Sequence, residues 1–171
     1  MDKKKVRLPL GEVTLFGVLG AIMFALQVAM SGLPNIEPVS LLTMLFAVTF
    51  GWKSLYCVYT FVIMEVLFHG IGVWNINYLY IWTVLAVAAI LLRNMGPAFG
   101  WALLSGVYGL CFGALCGIVD VFIGGFGYAV TKWVSGIPFD LLHCGGNFAI
   151  ALILWKPLRT LLEKLYVKMK R

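Results

Sequence analysis

Apolar positions along the chain gather into six runs, at about 11–30, 39–52, 54–70, 77–92, 98–119 and 137–155, separated by short polar or Gly/Pro-bearing stretches. A helix needs about 20 apolar residues to cross a bilayer. The first, fifth and sixth runs meet that length, and the third and fourth reach it when their polar ends are counted. The second is short. It follows Pro34 and Pro38, and is expected to be tilted, broken or shielded from lipid by its neighbours. The first run is too long for a signal-peptide core and is followed by further runs, so it reads as a retained helix. The pattern predicts an all-α integral membrane protein: one transmembrane domain over 1–171 with six helices, followed within it by a basic tail at 156–171.

Composition agrees. Hydrophobic residues make up 62% of the chain and charged residues 12%, against roughly 45–50% and 25% in soluble domains. A soluble fold of this size could not cover so much apolar surface. The net charge of +6 does not indicate nucleic-acid binding, because the basic residues sit at the termini and at single points between runs. With the N-terminus inside, the inner face receives Lys3, Lys4, Lys5, Arg7, Lys53, Arg93, Lys156, Arg159, Lys164, Lys168, Lys170 and Arg171. Only Lys132 is left outside, as the positive-inside rule requires. Six spans with both termini cytoplasmic follow, and five would put the tail on the wrong face. The tail reads as a basic amphipathic helix on the inner surface. The longer connections (Ser31 to Pro38, Gly70 to Ile76, Asp120 to Gly136) all fall outside, where function tends to collect. Cys57, Cys111, Cys116 and Cys144 lie in apolar runs without metal-ligand spacing and read as free thiols.

Two runs carry small residues at helical spacing. Gly17, Ala21, Ala25 and Ala29 place a smooth strip about 18 Å long on one face of the first helix. Gly109, Gly113 and Gly117, with Gly106 beside them, do the same in the fifth. Such faces allow close helix approach. For the fifth helix internal packing is the expected use; for the first, internal packing and docking of another membrane subunit both fit.

Polar side chains inside spans are costly, so their depth is informative. Gln27, the pair Glu65 and His69, and Asn75, Asn77, Tyr78, Tyr80 and Trp82 fall near outer helix ends. Asp120 closes the fifth helix, Asn35 and Glu37 lie in the first outer loop, and Asp140, His143 and Asn147 form one stripe descending the sixth from Gly136-Ile137-Pro138. Apart from Glu12 the inner halves are almost purely apolar, so these groups converge on a pocket open to the outside. Each has a plainer explanation. Trp74, Tyr78, Trp82 and Trp133 fit an interfacial aromatic belt, Glu65 with His69 a structural ion pair, Asp140 a charge in a first helical turn, and His143 a core histidine. Convergence favours binding. Four outer carboxylates (Glu37, Glu65, Asp120, Asp140) against one lysine favour a neutral or cationic ligand, and the aromatics favour a flat ring, as in a thiamine- or pyrimidine-like compound, a purine precursor or a corrinoid. No catalytic, ATPase or dinucleotide motif is present, and no inverted repeat is visible.

A short six-span chain with the ladder Ala21-xxx-Ala25-xxx-Ala29 and a sixth helix reading Ile137-Pro138-Phe139-Asp140-Leu141-Leu142-His143-Cys144-Gly145-Gly146-Asn147 resembles the substrate-binding S components of energy-coupling factor (ECF) transporters, over about 11–162. The resemblance implies a prokaryotic cell-membrane protein that is not itself an enzyme, needs no cofactor or metal, and captures a micronutrient outside. It implies docking through Gly17, Ala21, Ala25 and Ala29 onto a transmembrane coupling subunit driven by two cytoplasmic ATPases. It places the ligand among Asn35, Glu37, Trp74, Asn77, Tyr78, Trp82, Tyr128, Trp133, Asp140, His143 and Asn147, to which the residue reading adds Glu65 and His69. The rival reading is a non-catalytic scaffold such as a cell-shape component; a membrane enzyme would need a reactive pair the chain does not display.

Overall fold

The structure, a computed structural model, describes residues 8–33 and 35–169. Lys3, Lys4, Lys5, Arg7, Pro34, Lys170 and Arg171 lie outside the described residues. Within these limits the chain is all-helical: α1 (Leu10–Ala29), α2 (Val39–Phe50), a single 3-10 turn (Gly51–Lys53), α3 (Ser54–His69), α4 (Val73–Leu91), and a long helical run, Ala98–Met169. That run contains one non-helical residue, Gly125 (φ 82, ψ 174). A left-handed φ of this kind suits glycine, and the chain doubles back there. Gly106 faces Cys144 and Phe148, Gly109 faces His143, and Gly113 faces Asp140, so the numbers run in opposite directions along two antiparallel limbs. They are α5 (98–124) and α6 (126–169).

The side-chain contacts fix the direction of the remaining helices. Glu12 meets Lys53, Phe16 meets Phe50 and Tyr56, and Phe24 meets Phe68 and His69. Hence α1 and α3 run the same way and α2 runs against them. The Tyr108 hydroxyl donates to the Ile81 carbonyl, and Trp101 stacks on Trp155 at 4.2 Å. The segments thus alternate between a Glu12 end and a Glu37 end. The start of α1 and the end of α6 share the Glu12 end, where the Tyr166 hydroxyl lies 3.4 Å from Glu12 Oε1.

The short second run resolves in favour of shielding. At 12 residues, α2 is about 18 Å long, too short to cross a bilayer in contact with lipid. Val39 through Ala47 are all buried, because α2 forms the centre of the bundle among α1, α3, α4 and the α5–α6 limbs. Leu41, Met44 and Leu45 pack there with Phe16, Phe61 and Leu85. The outward faces of α1, α4, α5 and α6 expose Val18, Ile22, Val84, Leu103 and Ile153, a surface that hydrocarbon accommodates and water does not. Four helical stretches are long and apolar enough to cross a membrane: Leu10–Ala29, Val39–His69, Val73–Leu91 and Ala98–Lys168. Two of these contain a reversal.

Two expectations about the end of the chain are corrected. The stretch from Asp120 to Gly136 is not a loop but the tip of the α5–α6 hairpin, helical on both sides of Gly125. Its Lys132–Asp120 pair, 2.6 Å apart, bridges the limbs. Gly136-Ile137-Pro138 does not start a helix: Pro138 is inside α6, leaving one carbonyl of the preceding turn without its donor. Asp140 is therefore a helix-interior residue, and the macrodipole does not explain it. The tail is helical, α6 continuing through Pro157 to Met169, and Tyr166 packs edge-on against Phe50 at 4.8 Å. The glycine strip of α5 is internal packing at Gly106, Gly109 and Gly113, while Gly117 faces open space. All four cysteines are free.

The strip on α1 has the opposite character. Gly20, one position away from Ala21 on the helix, is the small residue that meets α3, where an added Cβ would lie 2.6 Å from the Cys57 carbonyl oxygen. Gly17 faces open space, Ala21 is half-buried, and Ala25 and Ala29 are exposed.

Candidate functional site

At the Glu37 end the bundle encloses a cavity of about 420 Å³, lined from α1, the 31–37 loop, α3, α4, α5 and α6. This lies in the lower part of the range for small-molecule sites. The 31–37 loop forms its cover, seated on one face of α6. Asn35, whose positive φ of 56° asparagine tolerates, donates from Nδ2 to the Phe139 carbonyl at 3.1 Å. Ile36 sits on Gly146, where an added Cβ would lie 3.0 Å from it. Glu37 Oε1 is 3.5 Å from His143 Nε2. Positions 139, 143 and 146 share a helical face, so the loop lies along α6 like a strap.

Glu37 also sits over the start of α2. Its Oε2 accepts the Val39 N–H at 3.0 Å and its Oε1 the Ser40 hydroxyl at 3.2 Å. A carboxylate at a helix N-terminus is favoured by the dipole, and these bonds leave it further acceptor capacity. Ser40 in turn accepts from Asn147 Nδ2 at 3.0 Å.

The opposite wall is aromatic. Ring contacts run without interruption from Phe68 to His69 (4.8 Å), His69 to Trp74 (6.2 Å), Trp74 to Tyr78 (5.2 Å), Tyr78 to Trp82 (5.5 Å), Trp82 to Phe112 (5.9 Å) and Phe112 to His143 (4.8 Å). These separations suit edge-to-face and offset contacts. A flat ligand entering this space meets rings from α3, α4, α5 and α6.

Several buried polar atoms here have no hydrogen-bond partner among the described residues: Gln27 Oε1, Trp82 Nε1, His143 Nε2 and Glu65 Oε1. Buried polar groups are normally satisfied, and each orphan calls for an explanation. Gln27, Trp82 and His143 line the cavity. Glu65 stands behind it, 3.1 Å from His69 Nδ1.

The residues proposed from sequence fall into groups. Asn35, Glu37, His69, Tyr78, Trp82 and His143 line the cavity; Glu65 and Trp74 touch lining residues without reaching it. Asn77 is buried near Tyr80, whose hydroxyl lies 3.1 Å from Asn77 Oδ1 and donates to the Leu115 carbonyl at 2.6 Å. Asp140 is buried between α5 and α6, accepting the Gly113 N–H at 3.0 Å. Asn147 lies below the cavity, bound to Ser40 and 3.5 Å from the Ser105 carbonyl. Tyr128 and Trp133 ride up the hairpin, and Trp133 lines a separate groove with Phe126 and Val130. Asn75 accepts the Gly72 N–H at the start of α4.

Sequence reasoning counted Gln27 among the converging polar groups without assigning it to the ligand, and left out Phe68 and Phe112. Gln27 carried a signal, a polar residue in an apolar helix. Phe112 carried none, because a phenylalanine in an apolar run looks alike whether it faces lipid or a ligand.

Asn147 yields a prediction about stability. It is 1% exposed and joins α6 to α2, so Asn147→Leu should destabilise the protein by about 1–3 kcal/mol by stranding its buried partners. Thermal unfolding in detergent reads this, and an unchanged midpoint would show the bridge to be dispensable.

Comparison with known proteins adds no identification: no family model matches the chain, and neither a curated protein nor a solved structure does.

Proposed function

We propose that this chain is the substrate-binding S component of an ECF-type uptake transporter in a prokaryotic cell membrane. In this reading six helical segments cross the bilayer, with the Glu12 end and both termini cytoplasmic. A micronutrient is captured from outside in the cavity at the Glu37 end, and α1 docks on a transmembrane coupling subunit powered by two cytoplasmic ATPases. The observation that carries the proposal is the cavity itself. It has a strap on one side, an aromatic wall on the other, and buried polar atoms left for a ligand to satisfy. A scaffold has no use for such a chamber at one end of the bundle. The open strip on α1 supports the docking half of the reading, since Gly17, Ala25 and Ala29 are not consumed by packing against α3.

The direct test is native mass spectrometry of the detergent-purified chain, followed by extraction of whatever is bound. A small molecule retained at one per chain is the expected result. An empty protein, unstabilised by any member of a vitamin panel in thermal unfolding, would overturn the binding function and turn attention to the small-residue face as an assembly surface.

A further inference from the structure

At the Glu12 end a second concavity lies between α6 and the turn that leads into α5. We propose that it is a binding site for an anionic phospholipid, with the headgroup phosphodiester at Lys156 and Arg159 and an acyl chain along Leu152, Phe148 and Phe99. Such a site serves the chain whatever the cavity at the Glu37 end binds.

Three features lead there. The first is a preformed pocket of about 390 Å³, with Gly96 and Pro97 on one wall and Lys156, Arg159, Thr160 and Glu163 on the other. Its walls are held in place: Trp101 Nε1 donates to the Met95 carbonyl at 2.9 Å, and the Trp101 ring stacks on Trp155, the neighbour of Lys156. The second is charge. Arg159 donates from Nε to Glu163 Oε1 at 2.9 Å, which orients the guanidinium and leaves its remaining N–H groups for a further acceptor. Lys156 has no acidic partner among the described residues. Together the lining side chains carry one net positive charge, the complement of one phosphodiester, and basic pockets between membrane helices bind acidic lipid headgroups. The third is what continues from the pocket. Positions 148, 152, 156, 159 and 163 lie along one side of α6, so the basic positions pass directly into Leu152 and Phe148. Leu152 is 42% exposed, and Phe99, 60% exposed, meets Phe148 with ring centroids 5.8 Å apart. Lys156 is the first Lys, Arg, Asp or Glu after Asp140, so apolar gives way to basic where a membrane-spanning helix leaves the hydrocarbon. A free phosphate would use only the charged half of this groove, whereas a phospholipid uses both.

The full chain in detergent is incubated with equal amounts of phosphatidylglycerol and phosphatidylcholine of matched acyl chains and read by native mass spectrometry. One phosphatidylglycerol per chain should be retained, about fivefold or more over phosphatidylcholine. Lys156→Gln together with Arg159→Gln should cut that retention by about tenfold or more, at roughly fivefold per charge. Lys164→Gln with Lys168→Gln removes the same charge from the other side of the same helix and should leave retention within about twofold. Thermal unfolding checks that both pairs fold. Arg159 is bonded to Glu163, so Lys156→Gln alone, with an expected loss of about fivefold, carries the test if the pair with Arg159 does not. Equal retention of the two lipids overturns the proposal, as does indifference to the Lys156 variants. An equal loss in the Lys164 and Lys168 control also overturns it, by reducing the site to diffuse surface charge. Displacement of the lipid by inorganic phosphate would make the pocket a free-phosphate site and overturn it too. Lipid retention here and ligand retention at the Glu37 end are read in the same spectrum, so either can fail alone.

Discussion

Gly109→Leu is expected to break the α5–α6 hairpin. An added Cβ at this position would lie 2.8 Å from both the carbonyl carbon and oxygen of His143 and 2.9 Å from the Cys144 nitrogen. These are backbone atoms of the opposing helix, so no side chain can rotate away and the two limbs must separate. Overpacking usually costs about 1–3 kcal/mol. With backbone on the far side the cost should sit at or beyond the top of that range, lowering the unfolding midpoint by roughly 6–12 °C. The same motion displaces His143 from the cavity wall, so ligand retention should fall as well. Gly117→Leu, two turns along the same helix and facing open space, is the control and should change the midpoint by no more than about 2 °C. Thermal unfolding of the two variants side by side checks the antiparallel pairing. Equal tolerance would mean that α5 and α6 do not meet at Gly109.

The second large effect concerns transport and leaves the fold alone. Ala25→Leu should leave the purified chain folded and able to retain its ligand, because Ala25 is exposed on α1 and a leucine there displaces nothing within the protein. On the proposed function, uptake in cells carrying the proposed coupling subunit and ATPases should drop by about 10- to 100-fold, because a bulky side chain holds two closely approaching helices apart. Gly17→Leu should behave alike. Gly20→Leu should instead unfold the protein, since an added Cβ there lies 2.6 Å from both the Cys57 oxygen and Thr60 Cβ. Binding and uptake falling together in Ala25→Leu would make the strip an internal face and end the docking proposal.

The contrast between Gly17 and Gly20 shows where the reading of the sequence stopped. Spacing alone found the strip Gly17, Ala21, Ala25 and Ala29, but could not say which small residues meet a neighbouring helix. Gly20, outside the strip, is the contact with α3. In α5, spacing found a glycine face and internal packing was the expected use, which Gly106, Gly109 and Gly113 fulfil and Gly117 does not. The run from Asp120 to Gly136 read as a loop because its glycines and polar residues ended the apolar pattern. A single residue with a left-handed φ, Gly125, was enough to reverse the chain, and Asp120 pairing with Lys132 closed the tip.

The pattern of apolar runs by itself determined that this chain is helical and suited to a membrane. It also placed Glu37, His69, Tyr78, Trp82 and His143 near one end. Both follow from one-dimensional quantities, since hydropathy and a rise of about 1.5 Å per residue fix how far along a helix each side chain sits. Only the tertiary structure decided which way the side chains turn around that axis. It put Asp140 against the Gly113 N–H and Asn147 under Ser40, while Gln27 and Phe112 came onto the cavity wall. Azimuth is set by which helices pack against which, and that choice depends on close contacts between residues far apart in the chain.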